Sequence, residues 1–138
     1  SSGGRYAVLY ADAAKVEIHD EHGRLVRLAD VPEPTNGNFE SRNDGDVMWY
    51  RDRYHYQACT ASDGKLFALY SGKPFVIGVP GGFEGDRIEV YSWDGTLLGR
   101  FQSSVQLLGI AVGSDEKELF GASAEDAAIY RFSVPTHD

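Results

Sequence analysis

Cysteine occurs once in the 138 residues, at Cys59, which excludes an internal disulfide framework and a multi-cysteine zinc site. It leaves the compartment open, since an exported protein does not need disulfides. Basic residues are scarce, 13 against 21 acidic ones, and the formal charge of -8 repels phosphate backbones and anionic lipid. Nucleic acid is therefore not an expected partner. No apolar run approaches the roughly 20 residues that span a bilayer, and no charged-then-apolar leader opens the chain, so the reading is of a mature or trimmed chain without a membrane span. The fingerprints of common enzymes are also missing. There is no Gly-x-Ser-x-Gly elbow, no Gly-x-x-x-x-Gly-Lys and no His-Glu-x-x-His. No catalytic residue, metal ligand or cofactor is predicted.

What is present is enough hydrophobic side chain, 42%, to bury a core within one domain or part of one. Sixteen glycines, eight tyrosines and seven phenylalanines suit pleated, half-buried surfaces joined by tight turns. The fold class expected is all-β.

The clearest local unit is Arg87 to Phe101, where Ile88, Val90 and Tyr91 precede Asp94-Gly95 and Leu97, Leu98 and Phe101 follow. Asp-Gly between apolar runs predicts a hairpin with a type I′ turn. The same grammar occurs at Lys15 to Leu28, around His22-Gly23, and the two segments align without gaps from Val16 on Ile88 to Leu28 on Arg100. A shorter copy begins at Ala128 to Val134. A second hairpin type precedes two of these: Tyr54, Tyr56, Ala58 and Thr60 on one strand face, a turn at Asp63-Gly64, a return from Leu66 to Tyr70, and a counterpart from Val105 to Ser123 turning at Asp115-Glu116-Lys117. Arg5 to Asp12 reads as the returning half of such a hairpin.

The order is thus three strands, then four, then three, in repeats of about 40 to 50 residues, the sequence sign of β-propeller blades. The boundaries read as blade 1 at about 5–30, an insertion loop at about 30–53 rich in turn formers, blade 2 at about 54–104 and blade 3 at about 105–135.

The strings SDGKLFALYSG, IEVYSWDGTLLGRF, GIAVGSDEKELFGAS and IYRFSV resemble the TolB-like six-bladed propeller proteins, often predicted bacterial lipoproteins of unassigned function. The resemblance covers Tyr54 to Pro135 and is strongest at Leu69-Tyr70-Ser71-Gly72 and Val90 to Gly95. It implies a six-bladed ring of over 300 residues, of which this chain is a C-terminal half, and an exported, periplasmic or cell-surface location. Three blades cannot close a ring, because each blade packs its faces against two neighbours. Two expectations follow: a homodimeric ring of two half-propellers, or the excised half of a longer chain.

Candidates for ligand binding cluster in Met48 to Tyr56, where Trp49, Tyr50, Arg51, Arg53 and His55 mix aromatic and cationic groups able to stack a sugar ring or grip a carboxylate. The competing and stronger reading is packing between blades. His19 and His22 are spaced like a minimal metal pair but read as part of a polar turn. Asn43, Asp44 and Asp46 are oxygen donors without the ladder of an EF-hand. Cys59 reads as a small buried thiol, Val79 to Asp86 as a flexible connection, and Glu116, Glu118, Glu125 and Asp126 as solvated tips. The favoured function is a non-catalytic binding or scaffolding propeller for a protein, peptide or glycan. The alternative is part of a hydrolase or lactonase-like propeller with a metal or acidic site at the central channel.

Overall fold

The computed structural model describes residues 4–34, 38–41, 47–50, 53–76, 78–79, 82–123 and 125–134, with the strands at 38–41 and 47–50 described by their backbone. Among the described residues all of the regular structure is β. Strands β1 (Tyr6–Leu9), β2 (Val16–His19) and β3 (Leu25–Leu28) form one antiparallel sheet. β4 (Asn38–Ser41) pairs with β5 (Val47–Tyr50). β6 (Tyr56–Ala61), β7 (Lys65–Tyr70), β8 (Gly85–Ser92) and β9 (Leu97–Leu107) make a four-stranded meander, and β10 (Gly109–Val112), β11 (Glu118–Ser123) and β12 (Ala128–Ser133) a third sheet. These are partial propeller blades of three, four and three strands. Among the described residues no helix is long and apolar enough to cross a membrane.

Two details differ from expectation. The segment read as an insertion loop contains the β4–β5 hairpin, because Asn38 to Ser41 and Val47 to Tyr50 offer two short runs around a turn-rich centre. The middle sheet also keeps Val105 to Leu107, since β9 runs on to pair Leu107 with Gly85 before β10 starts at Gly109.

The central sheet is buried on both faces, and period-two alternation explains how. Leu66, Ala68, Tyr70 and Tyr91 pack with Ala14, Val16, Ala29 and Val31 of the first sheet and its flanks. Phe67, Leu69, Ile88 and Val90 point the other way, against Leu119 and Val134, with Leu107 in the same cluster. Burying side chains such as Phe67 and Ile88, both at 0% exposure, contributes about 1.5–3 kcal/mol each. The strand β6 holds a correction to the sequence reading. Tyr56 and Ala58 do not share a face, because a bulge lies between them: Tyr56 pairs with Tyr70 and joins the first core, whereas Ala58 pairs with Leu69 and packs on the second.

The turns are also not type I′. In the β8–β9 hairpin the Gly95 N–H donates to Ser92 O at 2.9 Å and Ser92 N–H to Thr96 O at 3.0 Å, with only Gly95 left-handed, at φ 88°. That is a three-residue loop in which a type I turn is followed by one αL residue. The β2–β3 hairpin repeats it, Gly23 N–H to Asp20 O at 3.0 Å and Asp20 N–H to Arg24 O at 3.0 Å, with Gly23 at φ 81°. The gapless alignment of the two hairpins is therefore an alignment of the same backbone turn.

Candidate functional site

Antiparallel order puts the Asp63-Gly64 and Trp93 to Gly95 turns at one end of the central sheet. The described residues between β7 and β8 lie at the other end, with the approach to β6. There Tyr54 N–H donates to Lys73 O at 2.9 Å, Ser71 N–H to His55 O at 2.9 Å and Gly72 N–H to Tyr54 O at 2.8 Å, fixing the two segments side by side. Arg53 forms an isolated bridge with Pro74. Glu33, Arg53, Tyr70, Asp86, Arg87 and Gln102 line a cavity of about 250 Å³ at this end.

Behind the cavity sits a buried polar cluster. Glu89 has no exposed surface, although it is a carboxylate in the middle of a sheet. Its Oε2 accepts hydrogen bonds from Tyr56 Oη at 2.7 Å and Tyr91 Oη at 2.6 Å, and its Oε1 lies 3.0 Å from Arg87 Nε. The two phenols are themselves 3.1 Å apart. Burial, reinforced by the neighbouring Glu89, holds both tyrosines well above the ordinary phenol range, so they stay protonated donors. The Arg87 guanidinium stands 3.9 Å from the centroid of the Tyr70 ring. Tyr70 is in turn held by His55, whose Nδ1 is 3.1 Å from its hydroxyl. Burial raises the Tyr70 hydroxyl despite the opposing positive charges of Arg87 and Arg53.

The two protonated phenols are committed to Glu89 Oε2, while Oε1 faces Arg87 Nε at ion-pair distance without an aligned hydrogen bond, so the cluster presents a guanidinium held between a buried carboxylate and a phenol ring.

Of the five residues predicted as a ligand site, Arg53 is exposed and lines this cavity. His55 is buried, 1% exposed, and positions Tyr70 from behind. Trp49 and Tyr50 lie in β5, in register with Phe39 and Asn38, and Arg51 falls outside the described residues. Sequence reasoning missed Arg87, Glu89, Tyr70 and Tyr91. A signal for them existed, because the Arg-x-Glu-x-Tyr at 87–91 aligns with Lys-x-Glu-x-His at 15–19 in the repeat already recognised.

The other candidates fall as follows. His19 spends Nε2 on Glu17 at 2.9 Å and Nδ1 on Gly23 O at 3.2 Å, and among the described residues no three His, Cys, Asp or Glu are grouped to hold a metal. Asn43, Asp44 and Asp46 lie outside the described residues. Cys59 is not buried as expected: it is exposed on β6, the first strand in its sheet order, beside a groove it shares with Tyr6 and Ala7, and the burial it does have raises the thiol. Glu116 is not a free tip either, since it accepts from Gly64 N–H at 3.3 Å and pairs with Lys65 Nζ at 3.3 Å, clamping the third sheet to the second. Pro80 and Gly81 of the glycine-rich connection lie outside the described residues, and Glu118 pairs with Arg131 at 3.6 Å.

The chain matches no protein-family model and no curated protein sequence. Its fold is similar to that of a chain of hydrazine synthase from Kuenenia stuttgartiensis, with 10% identity, TM-score 0.60 and coverage of 96% of this chain but 30% of that one. It is likewise similar to the β-propeller domain of Cps50 (Swd1) from Myceliophteria thermophila, with 14% identity, TM-score 0.55 and coverage of 96% of this chain and 35% of that one. The chain thus has a partial β-propeller fold that spans about a third of the length of these solved structures.

Proposed function

We propose that this chain is a non-catalytic binding or scaffolding propeller, with its ligand end at the 71–84 connection and its outer sheet faces covered by further blades. The observation that carries the reading is the contrast between the sheets. The central sheet is sandwiched on both faces, while the flanking sheets leave Leu25, Val26 and Leu28 on β3 and Ile129 on β12 about half to three-quarters exposed. A blade with one bare face invites another sheet. Those blades come from a second copy, giving a two-chain ring, or from the rest of a longer six-bladed chain of the TolB-like kind, which would also imply export.

Light scattering tests this. Self-association to a particle of about twice the 15.2 kDa chain supports the two-chain ring. Aggregation or partial unfolding that is relieved only by a longer natural chain supports the second source. A monodisperse monomer that stays folded on dilution overturns the requirement for further blades.

A further inference from the structure

Pairing register gives all three sheets the same quartet of residues on one face. In the first sheet Leu9 pairs with Val16 and Ala7 with Ile18; in the second Leu69 pairs with Ile88 and Phe67 with Val90. The repeat puts Ile129 at the place of Ile88, and in the third sheet Ala122 pairs with Ile129 and Phe120 with Arg131. The first two quartets cover the next sheet along the chain. Val16, with Ala7 and Leu9, packs on Leu66, Ala68 and Tyr91, and the second quartet packs on Leu119 and Phe132. The third covers nothing among the described residues: Ile129 is 77% exposed where Ile88 is at 0%, and Ala122 and Arg131 are exposed beside it. Arg131 is the one departure from the apolar pattern, and its guanidinium lies 3.6 Å from Glu118, so its charge is compensated within its own sheet.

The opposite face has an uncovered copy at the other end of the stack. Glu89 and Tyr91 lie on the side of the second sheet that the first quartet seals. Glu17 and His19 hold the corresponding places in the first sheet, and Tyr6, Val8 and Leu28, paired beside them, are 43%, 36% and 50% exposed. The Glu17 charge is compensated there too, by Lys15 and His19. One chain therefore carries one uncovered face of each kind, and its two internal contacts each join a face of one kind to a face of the other. Resting on the reading above that a second copy supplies the further blades, we propose that the outward quartet of the third sheet docks on the outward face of the first sheet in a second copy, continuing the internal stack from chain to chain. The contact is head-to-tail, and made twice between two copies it closes a ring.

The test combines two variants of the full chain. Ile129→Lys disables the third-sheet face and Leu28→Lys the first-sheet face, and because both side chains are exposed the amide spectrum of each should stay that of the parent. In sedimentation each variant alone should associate at least about tenfold more weakly than the parent, through lost apolar burial and a desolvated ammonium. An equimolar mixture should recover a one-to-one pair and stop there, since each chain keeps the one intact face that the other needs. Should either variant fail to fold, Ala122→Arg or Leu25→Lys repeats the experiment on the same face. Loss of association in only one of the two variants overturns the proposal, because it means that like faces meet. So does unaltered association in both, or a mixture that pairs no better than its components. These outcomes leave a two-chain assembly standing on other surfaces; a parent chain that is monomeric at every concentration removes the proposal and that assembly together.

Discussion

Lys15 and Arg87 stand 72 positions apart at the same point of successive sheets, and each is paired with the glutamate two residues further along its own strand, at 2.5 and 3.0 Å. Each also lies over a tyrosine, Tyr10 just after β1 or Tyr70 at the end of β7. One copy is sealed beneath the adjacent sheet, with Glu89 at 0% side-chain exposure, and the other faces outward, with Glu17 at 14%. The same three-part device is thus present in two dielectric environments.

That pairing makes the first prediction. Glu89→Gln breaks a buried ion pair and leaves Arg87 and two phenols imperfectly matched, so it should cost about 3 kcal/mol. Glu17→Gln, the same change at the outer copy, should cost less than about 1 kcal/mol. Urea denaturation of the two variants checks the contrast, and equal losses would mean that burial does not distinguish the copies.

His19 carries the outer device's pH dependence. Its pKa is raised above 6.5, chiefly by the hydrogen bond to Glu17 and also by the Gly23 carbonyl. A raised folded value means the stabilisation is complete below 6.5 and is lost as pH climbs through that higher value. NMR titration should therefore give a His19 midpoint above the ordinary one, and Glu17→Gln should bring it down.

Asp94 acts with the opposite sign. The Ser92 hydroxyl and then the Thr96 backbone N–H hold its carboxyl at about 2, below the usual 3.8. Its contribution is full above the ordinary value and fades as pH falls from there toward 2. Acid denaturation of Asp94→Asn should show a smaller loss of stability across that window than the parent chain.

How far the residues themselves announced this structure follows from which interactions are local. The hairpins were legible because alternation and a glycine are read within one stretch of chain, and Gly23 and Gly95 are where the turns need left-handed backbone. The turn type was not, because Asp94 and Gly95 alone do not say that Trp93 also belongs to the loop. The bulge at Tyr56 was invisible for a related reason: it is a property of pairing with Tyr70 and Leu69, not of Tyr56 and its neighbours. Arg53, a ligand candidate from its aromatic surroundings, lines the cavity. Arg87 was passed over because a charged residue in a strand reads as a solvent-facing position until Glu89 is seen to be buried beside it.

Glycines separate the two kinds of constraint experimentally. Gly95→Ala must accept φ 88°, which costs about 1–2 kcal/mol. Gly85 has no positive φ, yet a Cβ there would lie 2.5 Å from the Tyr70 carbonyl oxygen, a backbone atom that cannot rotate away. Gly85→Ala should therefore be the costlier change, about 3 kcal/mol, and should disturb Tyr70 and the neighbouring cavity. Thermal unfolding of both variants ranks them, and the reverse order would show that the β7–β8 pair yields more readily than the β8–β9 turn.

The outer face of the first sheet provides the last prediction. Leu28 pairs with Glu17 on the face turned away from Val16 and Ile18, and it is 50% exposed beside the equally bare Leu25. Inside the chain both cores between sheets are built on apolar clusters, so a covering blade would bury these leucines, whereas a chain that functions uncovered would keep them in water. Leu28→Lys should then leave the folded spectrum unchanged, because the residue contributes nothing to either internal core, and weaken association by at least about tenfold through the loss of apolar burial and the desolvation of an ammonium. Sedimentation at several concentrations measures this. Unaltered association in Leu28→Lys would place the contact between copies elsewhere, and loss of folding would show that Leu28 supports its own sheet.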